Sequence, residues 1–333
     1  MTKIKLDHGS GGLLSYELIQ NVIVPALGER YKGELEDSSI FSLSSKQIAI
    51  TTDSFVLTPI FLKNTDIGKL SVCGTINDLV ASGAEPKFIT LSLILEEGFL
   101  LTDLNKILAS IKAVCEETNV YILTGDTKVV EKGAVDKIII NTTGVGIICT
   151  PLNTKNIQKD DAIIVTGNLG DHSIHVLSMR EGLGFESKVL SDCAPLSVPF
   201  IPILNKFKNG IHAVRDVTRG GLASVLNEIA ITSKKTFEIK MKNIPLKLET
   251  KMACEMLAIN PLYLANEGCF CIFCDKTVAK SIVADLKTND YCKNAAIIGS
   301  VKEFNKNFVL AKNEDGTIEI LEFLKGRVLP RLC

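Results

Sequence analysis

A polar interruption near the middle of the chain constrains its fold more than any other feature. Residues Thr150–Asp161 include Pro151, Asn153, Asn156 and the adjacent Asp160 and Asp161. On both sides of it, short apolar runs alternate with segments of helical periodicity. At 333 residues the chain is long for one hydrophobic core, so two domains are the default. We place their boundary at the interruption, giving residues 1–150, residues 151–325 and a short tail over residues 326–333. The class is α+β, with helices and strands mixed in each half (mixed α/β).

In the first half, Lys46–Thr52 reads as a strand ending at Asp53, and Leu104–Asn119 as a helix. Tyr121–Leu123 reads as a short strand ending in Thr124-Gly125-Asp126, and Lys137–Asn141 as another strand. The most legible helix is Asp66–Ala84, with Asp66 suited to its N-cap. Leu70, Cys73, Ile76, Leu79 and Val80 share one arc, while Ser71, Thr75, Asp78 and Ser82 form a small polar stripe opposite. Such a stripe suits close approach by a ligand or by another backbone. The second half opens with strand Ala162–Thr166. Helices Leu222–Thr232 and Val278–Thr288 and strands Phe270–Phe273 and Ala296–Ile298 follow.

A formal net charge of −1 suggests neither a nucleic-acid nor a membrane partner. The segment after Met1 has no apolar core of a signal peptide, and no apolar run approaches a membrane-spanning length. Ten cysteines in such a chain read as reduced thiols in the cytoplasm.

Asp53 and Asp126 are each expected to end a strand, where ligands commonly bind in α/β folds. With Asp78 they could converge on a hard cation, and Mg²⁺ carrying a nucleotide triphosphate is the natural guest. His8-Gly9-Ser10-Gly11-Gly12 and Asp216-Val217-Thr218-Arg219-Gly220-Gly221 are glycine-rich, and the second runs into a helix, where an anion can sit. Neither is a Walker A loop. The chain closes Leu329-Pro330-Arg331-Leu332-Cys333. Extended, the seven residues after Gly326 reach roughly 23 Å at about 3.3 Å each. Pro330 stiffens this arm, and Cys333 is a thiol able to enter a pocket or leave it.

Taken together these segments resemble the PurM-type ATP-binding superfamily, and several match its HypE family. They are His8–Gly12, Thr51-Thr52-Asp53-Ser54, Asp66–Leu70, Cys73–Asp78, Thr124–Val130, Gly133–Lys137, Arg215–Gly221, Ala265–Gly268 and Pro330–Cys333. The resemblance runs from about residue 5 to Cys333. It implies a two-domain PurM-like architecture, with a β-rich, dimerising, ATP-binding first domain, an α/β second domain and a mobile tail. HypE proteins dehydrate a carboxamide carried on the terminal thiol to a thiocyanate, using ATP, and so supply cyanide to the iron of [NiFe]-hydrogenase. The resemblance therefore implies catalytic roles for Cys333, Lys137 and Glu267, and Mg²⁺ binding by Asp53, Asp78 and Asp126. It implies nucleotide contacts from Gly9, Gly11, Gly12, Asp66, Lys69, Thr127, Arg219 and Gly220. Its implied partners are a second copy of the chain, a HypF-type carbamoyltransferase as donor, and a HypC–HypD iron scaffold as acceptor.

Two other readings stay open. A sister enzyme such as selenophosphate synthetase would carry a reactive cysteine near its start, yet no cysteine precedes Cys73. A nucleotide-binding regulatory module would lack turnover. Cys269, Cys271 and Cys274 lack a second ligand pair at zinc-like spacing and read as packed thiols. His172 and His175 read as surface or interface residues.

Overall fold

The structure, a computed structural model, describes residues 12–18, 20–21, 39–43, 46–303 and 307–324. Two sheets organise it. The first is built from Ser39–Leu43 (β1), Lys46–Phe55 (β2), Ala84–Glu96 (β3), Tyr121–Val130 (β4) and Ile138–Ile148 (β5), in the order β1-β2-β5-β3-β4. All its pairs are antiparallel except β3 with β4. The second has the order β12-β11-β8-β10-β6-β9-β7. Its strands are Ala162–Val165 (β6), Ile211–Asp216 (β7), Thr236–Lys240 (β8), Phe270–Cys274 (β9), Ala296–Lys302 (β10), Val309–Lys312 (β11) and Ile318–Leu321 (β12).

The helices are α1 (Gly12–Leu18), α2 (Ile67–Ala81), α3 (Leu101–Thr118), α4 (Asp171–Glu181), α5 (Ser197–Phe207), α6 (Gly221–Ser233), α7 (Leu248–Met256) and α8 (Ala279–Leu286). One apolar core continues across both sheets, joining Ile76 and Val80 of α2 to Phe200 of α5 and Ile272 of β9. A second core fills the space between the other face of the second sheet and α6, around Leu222, Leu226, Phe237 and Phe273.

α2 is the central strut. Asp66 caps it as the sequence predicts, accepting from the Gly68 and Lys69 N–H groups at 2.7 and 3.0 Å and from Ser110 Oγ at 2.6 Å. Its small stripe meets β5 closely at Thr75. Thr75 Oγ1 meets Thr142 Oγ1 of β5 at 2.5 Å, and a Cβ on Gly144 would stand 2.7 Å from the Thr75 methyl. On another side of α2, a Cβ on Gly68 would lie 2.6 Å from the Ile107 carbonyl oxygen of α3. Only these small residues let helix and neighbours approach so closely.

Two strands run further than the sequence suggests. β2 continues through Asp53 to Phe55, and β4 through Asp126 to Val130. Both aspartates therefore lie inside strands rather than at their ends. β4 is an edge strand, exposed to solvent from Tyr121 to Val129. Among the described residues no helix is long and apolar enough to cross a membrane.

Candidate active site

The site is assembled where the start of α6 faces the end of α2. Asp53 on β2 stands opposite Thr142 of β5. Asp78, in the last turn of α2, accepts a hydrogen bond from Thr51 Oγ1 at 2.7 Å. The Asp53 and Asp78 side chains are hydrogen-bonded neighbours. Asp216 and Arg219 reach the same place from the turn between β7 and α6. Burial pushes the Asp53 carboxyl from 3.8 up to about 6; the Arg219 guanidinium opposes that rise and the Asp216 charge adds to it.

The turn itself demands glycine. Gly220 and Gly221 have φ of 76° and 64°. A Cβ on Gly220 would sit 2.2 Å from Ser224 Oγ and 3.3 Å from the Gly12 nitrogen. Gly12, the last residue of the N-terminal glycine segment, thus rests against the second glycine segment. The Leu13 N–H donates to the Leu324 carbonyl at 2.8 Å, and the Tyr16 ring lies 5.9 Å from that of Phe323. The chain therefore enters the segment 325–333 beside this junction. Gly9, Gly11 and Cys333 lie outside the described residues.

Glu267 is 9% exposed and belongs to the loop before β9. Asn77, the residue before Asp78, reaches its carbonyl through Nδ2 at 3.5 Å. The same amide holds the facing loop, donating to the Ala194 carbonyl at 3.0 Å and accepting from the Leu196 N–H at 2.8 Å. Glu267 is thereby brought to the Asp78 end of α2.

Several residues fall elsewhere in the single chain. Asp66 and Lys69 occupy the far end of α2, and the twelve residues from Asp66 to Asp78 span about 18 Å at 1.5 Å each. Asp126 pairs with Ser92, Ser92 with Asn141, and Asn141 with Ser54. That puts Asp126 three strands from the residue after Asp53, about 14 Å along the sheet at ~4.8 Å per strand. Thr127 shares its exposed strand. Lys137 is exposed, with φ of 66°, and lines a separate cavity of about 380 Å³ with Pro59, Phe61, Glu96 and Phe99.

The three aspartates therefore do not converge within one chain, because the sheet holds Asp126 on its outer edge. Among the described residues no three His, Cys, Asp or Glu side chains are grouped to hold a metal ion. The Asp53–Asp78 pair still fits Mg²⁺, which takes one or two carboxylates and completes its shell with phosphate oxygens and water.

The histidines correct another expectation. Both are fully buried: the His172 Nδ1 meets Ser191 Oγ at 2.8 Å, while the His175 ring bonds the Val189 carbonyl at 2.6 Å and accepts from the Lys63 N–H at 3.3 Å. Burial holds His172 at about 3 and lowers His175 as well. Cys269, Cys271 and Cys274 are packed thiols, as expected, and all nine described cysteines are free.

Known proteins resemble this chain over nearly its whole length. Residues 35–148 match the AIR synthase related protein, N-terminal domain, and residues 158–312 the corresponding C-terminal domain. The carbamoyl dehydratase HypE of Escherichia coli K12 is 36% identical over all of both chains. That of Azotobacter vinelandii is 38% identical over 99% of this chain and 97% of its own. A solved HypE in complex with ATP superposes with a TM-score of 0.83 at 36% identity, over 99% of this chain and 100% of its own. The solved HypE–HypF complex gives 0.86 at 39% identity, over 92% of this chain and 99% of its own. A thiamine monophosphate kinase shares the fold, with a TM-score of 0.67 at 22% identity. The chain belongs to the HypE carbamoyl dehydratase family.

Proposed function

We propose that this protein uses ATP to dehydrate a carboxamide carried on the Cys333 sulfur to a thiocyanate, the source of cyanide for the iron of a [NiFe]-hydrogenase. The observation that carries the reading is the junction of Leu13 with Leu324 beside Gly220. Nine residues follow Leu324 and end at Cys333, a reach of about 30 Å when extended at 3.3 Å each.

The chemistry suits the residues. The carboxamide has a C=O and an NH₂ on one carbon, and oxide is a poor leaving group. Transfer of the ATP γ-phosphoryl to the oxygen, with loss of one N–H proton, gives a phosphorylated imidate and ADP. Loss of the second N–H proton forms C≡N as the C–O bond breaks and phosphate departs. Glu267 is the proton acceptor in this scheme; Lys137 lines a separate cavity of the single chain and would offset the phosphate charge only where a second copy brings it there. Arg219, Gly220 and Gly12 bind the phosphates at the start of α6, and Gly9 and Gly11 are assigned to the same role from the resemblance alone. Asp53 and Asp78 hold Mg²⁺, which neutralises phosphate charge.

The exposed edge strand β4 supports a homodimer. Tyr121, Leu123 and Val129 are each more than 60% exposed there, and an open apolar edge invites a second strand. This edge carries Asp126 and Thr127, which it offers to a second copy. A HypF-type carbamoyltransferase loads Cys333, a HypC–HypD scaffold accepts the cyano group, and the free thiols suit the cytoplasm.

Mass spectrometry tests the reading. After incubation with the carbamoyl donor system and ATP, the peptide bearing Cys333 gains a carboxamide and then loses one water. Modification at another residue, or loss of water without ATP, refutes it.

A further inference from the structure

Loop residue Asp192 has no part in the scheme above, yet it is half-buried and built against Glu267. Its Oδ1 accepts from the Glu267 N–H at 3.0 Å and its Oδ2 from the Gly268 N–H at 3.1 Å. One carboxylate thus grips two successive peptide N–H groups, a concavity that favours an anion. The two loops touch backbone to backbone. A Cβ on Gly268 would stand 2.0 Å from the Asp192 carbonyl oxygen and 3.2 Å from the Ala194 nitrogen. Asn77 closes the arrangement from α2, bonding Ala194, Leu196 and Glu267 together. Even partial withdrawal of a carboxylate from water is costly. Burial pushes Asp192 up to about 7, opposed by the Glu267 and Gly268 N–H groups, while Asp171 nearby adds to the rise. Asp171 in turn is held by Lys247 at 2.7 Å and by Thr250 Oγ1 at 2.5 Å.

We propose that Asp192 is the positioning residue for Glu267: by clamping the peptide N–H groups on either side of the Glu267 Cα, one with each oxygen, it fixes the direction from which the Glu267 carboxylate meets the carboxamide nitrogen. The inference rests on the reading of Glu267 as proton acceptor. A loop glutamate has three side-chain torsions, and its aim is only as good as the peptide that bears it. An error of about 1 Å in a reacting group costs on the order of 100-fold in rate. Asn77 supports the same peptide more weakly, through a single long bond to its carbonyl.

A mutant cycle on the carbamoylated full-length protein decides the matter. Single-turnover thiocyanate formation is measured at saturating ATP for wild type, Asp192→Asn, Glu267→Gln and the double variant. Asp192→Asn keeps one acceptor oxygen but turns an amide donor toward the other N–H. We expect it to lower the rate about 10- to 100-fold with the ATP concentration for half-maximal rate unchanged. In the Glu267→Gln background the same change should alter the rate less than about 2-fold, because the group it aims is already gone. An equal loss in both backgrounds, or a change confined to half-saturation, overturns the positioning role and leaves Asp192 as a loop clamp. A Glu267→Gln variant with the wild-type rate overturns the Glu267 reading itself, and the proposal with it. Asp192→Ser, small enough to admit a water, repeats the cycle if the Asn variant does not fold.

Discussion

Replacing Asp53 by Asn should make the folded protein more stable and the enzyme inert. In the folded chain burial raises the Asp53 carboxyl from its ordinary 3.8 to about 6. A raised acid binds its proton more tightly when folded, so ionising it works against folding. Below pH 3.8 the group is neutral in both states and the charge costs nothing. Between 3.8 and about 6 the cost grows by 1.36 kcal/mol per pH unit, and above that it is constant. It amounts to about 1.6 kcal/mol at pH 5 and about 3 kcal/mol at pH 8. Asn has nearly the same shape and no charge, so it removes that cost. Urea denaturation without nucleotide or metal should show the variant gaining about twice as much at pH 8 as at pH 5. Adding Mg²⁺ and ATP should stabilise wild type strongly and the variant little, since bound cation rewards the charge. A variant less stable than wild type at pH 8, or a gain independent of pH, would refute the reasoning that a desolvated carboxylate is held ready for a cation.

Three further outcomes can be checked directly. Cys333→Ala should abolish thiocyanate formation and leave ATP affinity within about 2-fold by calorimetry, because the thiol carries cargo rather than nucleotide. Asp78→Ala should weaken Mg-ATP binding tenfold or more; unchanged affinity removes Asp78 from the cation site. Asn77→Ala should destabilise the protein by about 2–4 kcal/mol in urea titrations, since it orphans the buried Ala194 carbonyl and Leu196 N–H together.

Most of what the sequence revealed was local. The Asp66 cap is legible because a carboxylate before a helical run has one dominant use, and the structure shows it filled. The lengths of β2 and β4 were not legible. Polar Asp53 and Asp126 look like strand ends, and an edge strand open on both faces has no apolar alternation to read. The meeting of Asp53 with Asp216 and Arg219 depends on how two sheets pack across α2, more than 160 residues apart in sequence. Asp216 was visible only as the start of a glycine segment, and its charge beside Asp53 was not. His172 and His175 looked like surface residues because their partners, Ser191, Val189 and Lys63, come from loops without periodicity. Asp192 sits in such a loop as well. Its one sequence cue was Gly268 after Glu267, where any side chain would strike the Asp192 backbone.

The bond from Leu13 to Leu324 fastens both extremities of the chain at one rivet beside Gly220. Traction on the arm that bears Cys333, as when a partner grasps its sulfur, pulls on the peptide that seats Gly12. On the proposed roles, delivery of the cargo and grip on the nucleotide would share one mechanical anchor.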